Sequence, residues 1–336
     1  MTNKILFFDY RECEESFFEK NKFQEFEIEF FKESLSLETI EKLSQETLDT
    51  TTVISVFITS EVNAEIIERF KNLQIISTRS TGIDHIDKLS AQERNIDIIN
   101  IEGYGSQSVA QYTFGLILAL TRNIISASRY LHDPNGNCES YIGHDISKLT
   151  IGVVGTGSIG ASVCKIATAF NMKIIAFDMD LKQEIENTID MQYVDFHTLV
   201  KNSDIITLHL PYTKDNHHIF SDNEFDEMKP NSYFINTSRG ELVNLEAVSK
   251  AIKNKKLNGL ALDVTTCEEI SFKCDKKIRS ENNIPLICKQ EEAILAELLE
   301  EQNVIITPHI AYSTQEAIDY ILEKTFFNIS NNINSK

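Results

Sequence analysis

The sequence predicts an α/β protein with two doubly wound parallel sheets. In the first hundred residues, short apolar runs such as 53–58 and 73–78 alternate with amphipathic stretches, which is typical of strands joined by helices. A second strand–helix–strand series begins only at Ile151. An amphipathic helix predicted over 314–331 is then left over after the last strand. We therefore expect one α/β domain to be inserted into another.

Each domain is predicted to contain its own series of elements. We place the first domain at 1–102 and 311–336, and the inserted one at 103–310. In the first, we predict strands at 4–9, 26–30, 53–58, 73–78 and 96–101 and a helix at 61–70. In the second, we predict strands at 151–154, 174–177, 204–210, 232–237, 259–264 and 304–307 and helices at 106–125, 222–229, 245–255 and 291–301. Residues 265–290 have no clear period.

Composition excludes several classes of protein. The chain has 336 residues, 42% of them hydrophobic, and a net charge of −19, which disfavours binding to nucleic acid or to anionic membranes. No apolar run reaches the length of a membrane span, and the N-terminus lacks a signal-peptide layout, so we expect a cytoplasmic protein. Six cysteines without a CxxC pair are expected to be reduced thiols with no metal site: Cys13, Cys138, Cys164, Cys267, Cys274 and Cys288.

The stretch from Ile151 to Asp178 predicts a dinucleotide site. An apolar strand enters the turn Gly155-Thr156-Gly157-Ser158-Ile159-Gly160, a helix follows, and a second strand ends at Asp178. The glycines allow a tight turn, close approach of a pyrophosphate and close helix packing, and the helix N-terminus offers free N–H groups. An acid at the end of the second strand binds ribose hydroxyls and repels a 2′-phosphate, which favours NAD over NADP.

Three polar side chains follow strands of the second domain. Arg239 follows the strand at 232–237, Glu268 lies five residues after Asp263, and His309 follows the last strand. Strand carboxyl ends line the ligand crevice of a doubly wound sheet. Reduction of a 2-keto acid needs a cation for the carboxylate, a proton for the carbonyl oxygen and a carboxylate that keeps the proton donor charged. Arg, His and Glu supply these functions.

Four ordered motifs resemble the D-isomer-specific 2-hydroxyacid dehydrogenase family over essentially the whole chain. They are GTGSIG at 155–160, NTSRG at 236–240, LDV at 262–264 with Glu268, and TPH at 307–309. The segment Ser80–Asp87 and Tyr104 are most similar to the D-lactate dehydrogenase branch. The resemblance implies a flavodoxin-like substrate domain, a Rossmann NAD-binding domain and a homodimer formed through the latter.

The resemblance also implies roles for individual residues. Arg239 would bind the substrate carboxylate, His309 would be the acid–base group, and Glu268 would pair with it. Thr81, Gly82, Tyr104 and Tyr312 would complete the substrate pocket. The cofactor would contact Gly155, Thr156, Gly157, Ser158, Ile159, Gly160, Asp178, His209, Pro211, Thr237, Ser238 and Asp263.

Some features leave alternatives open. Glu269 stands where a proline commonly follows the catalytic glutamate, so two carboxylates are adjacent, and spacing favours Glu268. Arg79 is either an orienting group for the substrate loop or part of a structural ion pair. The predicted activity is interconversion of pyruvate and D-lactate with NAD. The alternatives are a larger 2-keto acid, such as 2-ketoisocaproate or phenylpyruvate, and a non-catalytic NADH-sensing co-regulator.

Overall fold

A computed structural model describes residues 3–130, 141–182, 186, 188–268 and 285–335. The chain divides into two compact units, Met1–Tyr104 with Ser313–Lys336, and Gly105–Tyr312. Each break lies two residues further along the chain than the boundaries placed from the sequence. The second unit is thus continuous in sequence, and the first is made of two segments.

The first unit contains a parallel sheet of five strands in the order β2-β1-β3-β4-β5. Successive residues of β1 pack on opposite faces: Leu6 belongs to one core cluster, and Ile5 and Phe7 belong to the other. Both faces are covered, which explains the continuous apolar strands. The strands are β1 (Asn3–Phe7), β2 (Phe26–Phe30), β3 (Thr51–Val56), β4 (Ile75–Thr78) and β5 (Asp97–Ile99), and the helices are Glu15–Lys20, Leu37–Glu41, Gln45–Thr50, Ala64–Arg69, Lys88–Glu93 and Gln315–Asn334.

The second unit contains a parallel sheet of seven strands in the order β12-β11-β10-β9-β6-β7-β8. The order reverses between β6 and β9, so the ligand crevice of such a sheet is expected outside the carboxyl ends of these strands. The strands are β6 (Thr150–Val154), β7 (Lys173–Phe177), β8 (Met191–Tyr193), β9 (Ile205–Leu208), β10 (Ser232–Asn236), β11 (Leu257–Leu262) and β12 (Val304–Ile306). The helices are Ser106–Thr121, Ile124–Tyr130, Ser158–Ala169, Phe196–Asn202, Asp222–Glu227, Leu245–Lys253 and Leu286–Leu299. The predicted class, α/β with two doubly wound parallel sheets, is confirmed.

The long apolar helix differs from its predicted extent. It ends at Thr121, and a separate helix begins at Ile124, because Asn123 adopts the left-handed conformation with φ of 52°. Asparagine tolerates this conformation better than most residues. Side chains on several sides of Ser106–Thr121 are buried, and they pack in the core of the second unit. Within the described residues, no helix combines the length and apolar character that a membrane crossing requires.

The prediction that all six cysteines are reduced thiols is wrong for one pair. Cys267 and Cys288 form a disulfide with their Cα atoms 5.6 Å apart. The helix that carries Cys288 begins at Leu286, five residues before the predicted start at Glu291, and this places its first turn beside the loop after β11. Cys13 and Cys164 are free thiols, whereas Cys138 and Cys274 lie outside the described residues.

Candidate functional site

The glycine turn after β6 has the geometry of a phosphate site. Gly155 has a φ of +94°, which favours glycine, and a Cβ added to Gly160 would lie 1.9 Å from the carbonyl oxygen of Gly155. A Cβ added to Gly157 would meet nothing within 4 Å, so this part of the turn faces open space. Gly157 is the N-cap of Ser158–Ala169 and provides no capping side chain. The first N–H groups of this helix are therefore available to an anion.

The carboxylate of Asp178 lies beside this turn. It accepts hydrogen bonds from the backbone N–H of Thr156 at 2.6 Å, the Thr156 hydroxyl at 3.0 Å and the N–H of Asp180 at 3.0 Å. Burial alone would raise the pKa of Asp178, but these hydrogen bonds outweigh it and lower the pKa. The Tyr193 hydroxyl contacts the Thr156 hydroxyl at 2.8 Å. Sequence reasoning missed Tyr193, since the three-residue strand β8 has too little pattern to predict.

His209 follows β9 and is buried. Its Nε2 contacts the Thr207 hydroxyl at 3.0 Å, whereas its Nδ1 is buried and has no hydrogen-bond partner among the described residues. Burial lowers the pKa of His209 to about 3, so the ring is neutral at physiological pH. The predicted neighbour Pro211 is exposed, and Thr237 is buried with its hydroxyl 3.0 Å from that of Thr113.

Asn236 holds the loop that carries Arg239. The sequence analysis named Asn236 only as part of the NTSRG motif. Asn236 is fully buried; its Oδ1 accepts hydrogen bonds from the N–H and hydroxyl of Ser238, and its Nδ2 donates to the carbonyl of Arg239. The Arg239 guanidinium donates to the Ser238 carbonyl at 2.8 Å, and it has no ion pair within the described part of the chain. The sequence feature that could have identified Asn236 is a polar residue at the end of a buried strand.

Glu268 and His309 meet as predicted from their positions after β11 and β12. Oε2 of Glu268 lies 2.6 Å from Nδ1 of His309, and its Oε1 accepts a 3.3 Å bond from the Thr265 N–H. Glu269 lies outside the described residues. No described residue is hydrogen-bonded to His309 Nε2, which leaves that nitrogen available for a proton transfer.

Asp263 holds the backbone on both sides of His309. Its carboxylate accepts hydrogen bonds from the Thr307 hydroxyl and from the N–H groups of Ile310 and Ala311, and its carbonyl accepts the N–H of His309. His309 adopts a φ of 52°, an unusual conformation that surrounding contacts must maintain. Burial raises the pKa of Asp263, although these hydrogen bonds oppose the shift.

The predicted substrate residues lie in different units. Thr81 is exposed at the end of β4, its hydroxyl donates to the Ile101 carbonyl, and Gly82 and Tyr104 are half-buried in the same unit. Within the described residues, the backbone N–H groups of Thr81 and Gly82 donate no hydrogen bond. Tyr312 belongs to the second unit, with its ring edge-on to His309 and the ring centres 6.5 Å apart.

The alternative that Arg79 is structural agrees with its contacts. Its side chain is fully buried, donates to Ser55 and to the carbonyls of Phe8 and Asp9, and lies over the Phe7 ring. Its Nε is 3.8 Å from a carboxylate oxygen of Glu14.

Comparison with known proteins gives a family match over residues 114–311, to the NAD-binding domain of D-isomer-specific 2-hydroxyacid dehydrogenases. A D-specific alpha-keto acid dehydrogenase of Enterococcus faecium is 39% identical over 82% of this chain and 81% of its own. An aromatic 2-oxoacid reductase of Clostridium sporogenes is 34% identical over 82% and 81%. A crystal structure of D-lactate dehydrogenase from Aquifex aeolicus, complexed with NAD and lactic acid, matches with a TM-score of 0.85 and 30% identity over 98% of this chain and 96% of its own.

The residues present fit NAD. The open turn at Gly157, the uncapped helix N-terminus and the acceptor at Asp178 suit a pyrophosphate and a ribose with free hydroxyls, and the buried Nδ1 of His209 leaves a hydrogen-bonding atom unused by the described protein. The family match names the same cofactor for this domain. Motifs, fold and relatives all agree, and the chain belongs to the D-isomer-specific 2-hydroxyacid dehydrogenase family of oxidoreductases.

Proposed function

We propose that this protein reduces a small 2-keto acid to its D-2-hydroxy acid, with pyruvate and D-lactate as the preferred pair. The observation that carries the proposal is the 2.6 Å contact between Glu268 and His309, on strand ends of the same sheet as Arg239. These groups supply a proton donor, a carboxylate that orients it and a cation for an anionic substrate. The Aquifex relative was crystallised with lactic acid and NAD.

Each residue has a distinct task in the proposed reaction. The turn at Gly155–Gly160 and Asp178 would hold NADH, which would supply a hydride for the carbonyl carbon. Arg239 binds the substrate carboxylate through its fork of N–H donors. His309 donates the proton on Nε2 to the carbonyl oxygen, and Glu268 keeps the ring oriented through Nδ1. In the oxidative direction, His309 takes the proton back.

The relatives keep one alternative substrate open. The reductase of Clostridium sporogenes acts, by its name, on aromatic 2-oxoacids. One methylene in a pocket changes discrimination by only about 1–3 kcal/mol, so a shared fold and shared reacting groups are compatible with a larger 2-keto acid. Phenylpyruvate and 2-ketoisocaproate are therefore the substrates to compare with pyruvate.

A steady-state panel tests the proposal. NADH oxidation is followed with pyruvate, 2-ketobutyrate, 2-ketoisocaproate and phenylpyruvate, and the chirality of each product is determined. Highest kcat/KM on pyruvate with D-lactate as product is the expected result. A maximum on a bulky acid would replace the substrate and retain the mechanism. Absence of turnover on all of them, with NADH still bound, would overturn the proposal in favour of an NADH-sensing protein.

We also propose that the protein is a homodimer formed through the unit Gly105–Tyr312. Ile124 and Ile125, adjacent in the helix after Ser106–Thr121, are 52% and 36% exposed and offer an apolar surface for a second copy of the chain. Light scattering coupled to gel filtration should give twice the mass of the chain. A monomer at micromolar concentration would contradict the proposal.

A further inference from the structure

The loop that carries Glu268 is tied to a helix that contributes no residue to the proposed reaction. Cys267, adjacent to Glu268 in sequence, forms a disulfide with Cys288 in the first turn of Leu286–Leu299. Both cysteines are buried, with 8% of each residue exposed. The backbone at Cys267 is thus fixed to that helix by a covalent bond.

A second contact joins the same helix to the same loop. Glu291 lies three residues after Cys288, on the same side of the helix, and its carboxylate lies beside the side chain of Thr266 and the backbone of Cys267. Burial raises the pKa of Glu291, and the nearby Glu241 adds to this, whereas Thr266 and the Cys267 backbone act in the opposite direction. Its Oε2 is buried without a partner among the described residues. The half-buried carboxylate of Glu291 thus lies against the loop that carries Glu268.

The loop has little freedom on its other side. Gly240 lies so close to it that an added Cβ would be 2.1 Å from the carbonyl carbon of Thr265. Among the described residues, Glu268 itself is hydrogen-bonded only to the Thr265 N–H at 3.3 Å and to His309. The position of its carboxylate therefore depends on the backbone at 265–267, which the helix fixes at two points.

We propose that the Cys267–Cys288 disulfide and Glu291 are positioning groups for the Glu268–His309 pair, and that reduction of the disulfide weakens this pair. A dithiol such as dithiothreitol breaks the Sγ–Sγ bond; two electrons and two protons pass to the cysteines, which become thiols, and the reductant becomes a cyclic disulfide. Of the two contacts named above, only that of Glu291 then remains. The inference rests on the proposed function, because it assumes that the pair acts in catalysis.

The state of the His309 ring distinguishes positioning from general stabilisation. The titratable groups that face His309 among the described residues are Glu268, Asp263 and Tyr312, and only Glu268 belongs to the tethered loop. If Glu268 moves away, Nδ1 of His309 loses its carboxylate partner, so kcat for keto-acid reduction should fall by up to about a hundredfold, and the NMR signal of the ring N–H should shift. NADH affinity should be unchanged.

The first experiment compares untreated and dithiothreitol-treated enzyme, each with NADH. Peptide mapping without reduction should find Cys267 joined to Cys288 in the untreated sample only. On reduction, kcat should fall while the KM for NADH is unchanged, and the NMR signal of the His309 ring N–H, assigned with His309→Gln, should shift without turnover. Absence of the cross-link after incubation with oxidised glutathione would overturn the proposal. A cross-link with identical kcat values and identical ring N–H signals in both samples would also overturn it.

Matched variants separate the two tethers. The double variant Cys267→Ser/Cys288→Ser should show the lower kcat of the reduced enzyme and no response to dithiothreitol, whereas Cys13→Ser, at an exposed thiol of the other unit, should respond like the wild type. Glu291→Gln retains an acceptor for the loop and should be close to wild type, and Glu291→Ala should show the lower kcat and the shifted ring signal. If no keto acid is turned over by the cross-linked wild type, the proposed function fails, and the NMR signal of the His309 ring still decides the positioning claim.

Discussion

Arg79 and Arg239 both follow strands of a parallel sheet, one in each unit, yet their surroundings are opposite. Arg79 is fully buried, with Ser55, two backbone carbonyls and the Phe7 ring around it and Glu14 nearby. Arg239 is half-buried and donates to the carbonyl of the preceding residue. Because Arg79 has its hydrogen bonds within its own unit, we expect it to stabilise the fold. Arg239 keeps donors available, as a substrate anchor requires.

The largest effect should come from Arg239→Gln. The substitution removes the charge and the fork that would bind a carboxylate, and hydrogen bonds to charged groups contribute about 1.5–3 kcal/mol each. Loss of two such bonds should lower kcat/KM by about a thousandfold, with a raised KM for the keto acid and an unchanged thermal midpoint. Steady-state kinetics and thermal unfolding measure the two quantities. A normal KM would mean that the carboxylate binds elsewhere.

Arg79→Met should lower the stability of the fold and leave the activity nearly unchanged, which is the converse of Arg239→Gln. Removing one member of a buried ion pair costs about 3 kcal/mol or more, because Glu14 stays buried with its side chain 2% exposed. We expect the free energy of unfolding from urea titration to fall by this amount, while kcat/KM per folded molecule is nearly retained. Arg69→Met is the matched control, since Arg69 forms an exposed pair with Glu65 and should change stability by less than about 0.5 kcal/mol. Equal stability of the two variants would remove the distinction between the arginines.

The surroundings of Asp178 are intermediate between those of Arg79 and Arg239. Asp178 accepts three hydrogen bonds from its own unit and still has acceptor capacity for a ribose. Asp178→Ala should narrow the preference for NADH over NADPH by about tenfold to a hundredfold, in line with the loss of hydrogen bonds to one charged group. The kcat/KM values for both cofactors measure this preference. Tyr193→Phe removes only the contact to Thr156 and should have a smaller effect in the same direction. An unchanged ratio in Asp178→Ala would contradict the ribose assignment.

The sequence predicted what depends on local pattern. The strands β1, β3 and β6 and the glycine turn follow from apolar periodicity and from backbone requirements that a few residues express by themselves. The same local pattern, a strand followed by arginine, could not distinguish Arg79 from Arg239, because their difference lies in residues as distant in sequence as Phe8 and Ser55.

Tertiary contacts also account for the error at the cysteines. Cys267 and Cys288 are 21 residues apart, and their pairing depends on where the helix Leu286–Leu299 packs, which spacing alone does not reveal. The cofactor role of Asp263 stays a prediction from resemblance; in the structure, both its carboxylate oxygens accept hydrogen bonds from the backbone and hydroxyl donors around His309. Its proposed contact with the cofactor would have to share an oxygen that already accepts from these groups.

The last effect we predict concerns His209 and the pH dependence of stability. Its pKa is about 3 in the folded protein and near 6.5 when unfolded, so between these values only the unfolded state binds the proton. Stability is therefore lost as the pH falls below about 6.5, by about 1.4 kcal/mol for each further pH unit. Urea unfolding at pH 7, 6 and 5 without NAD should show a slope that His209→Asn reduces by this amount. Equal slopes for wild type and His209→Asn would mean that folding does not lower the pKa of His209. The buried ring would then have a hydrogen-bond partner for its charged form within the protein, as Arg79 has.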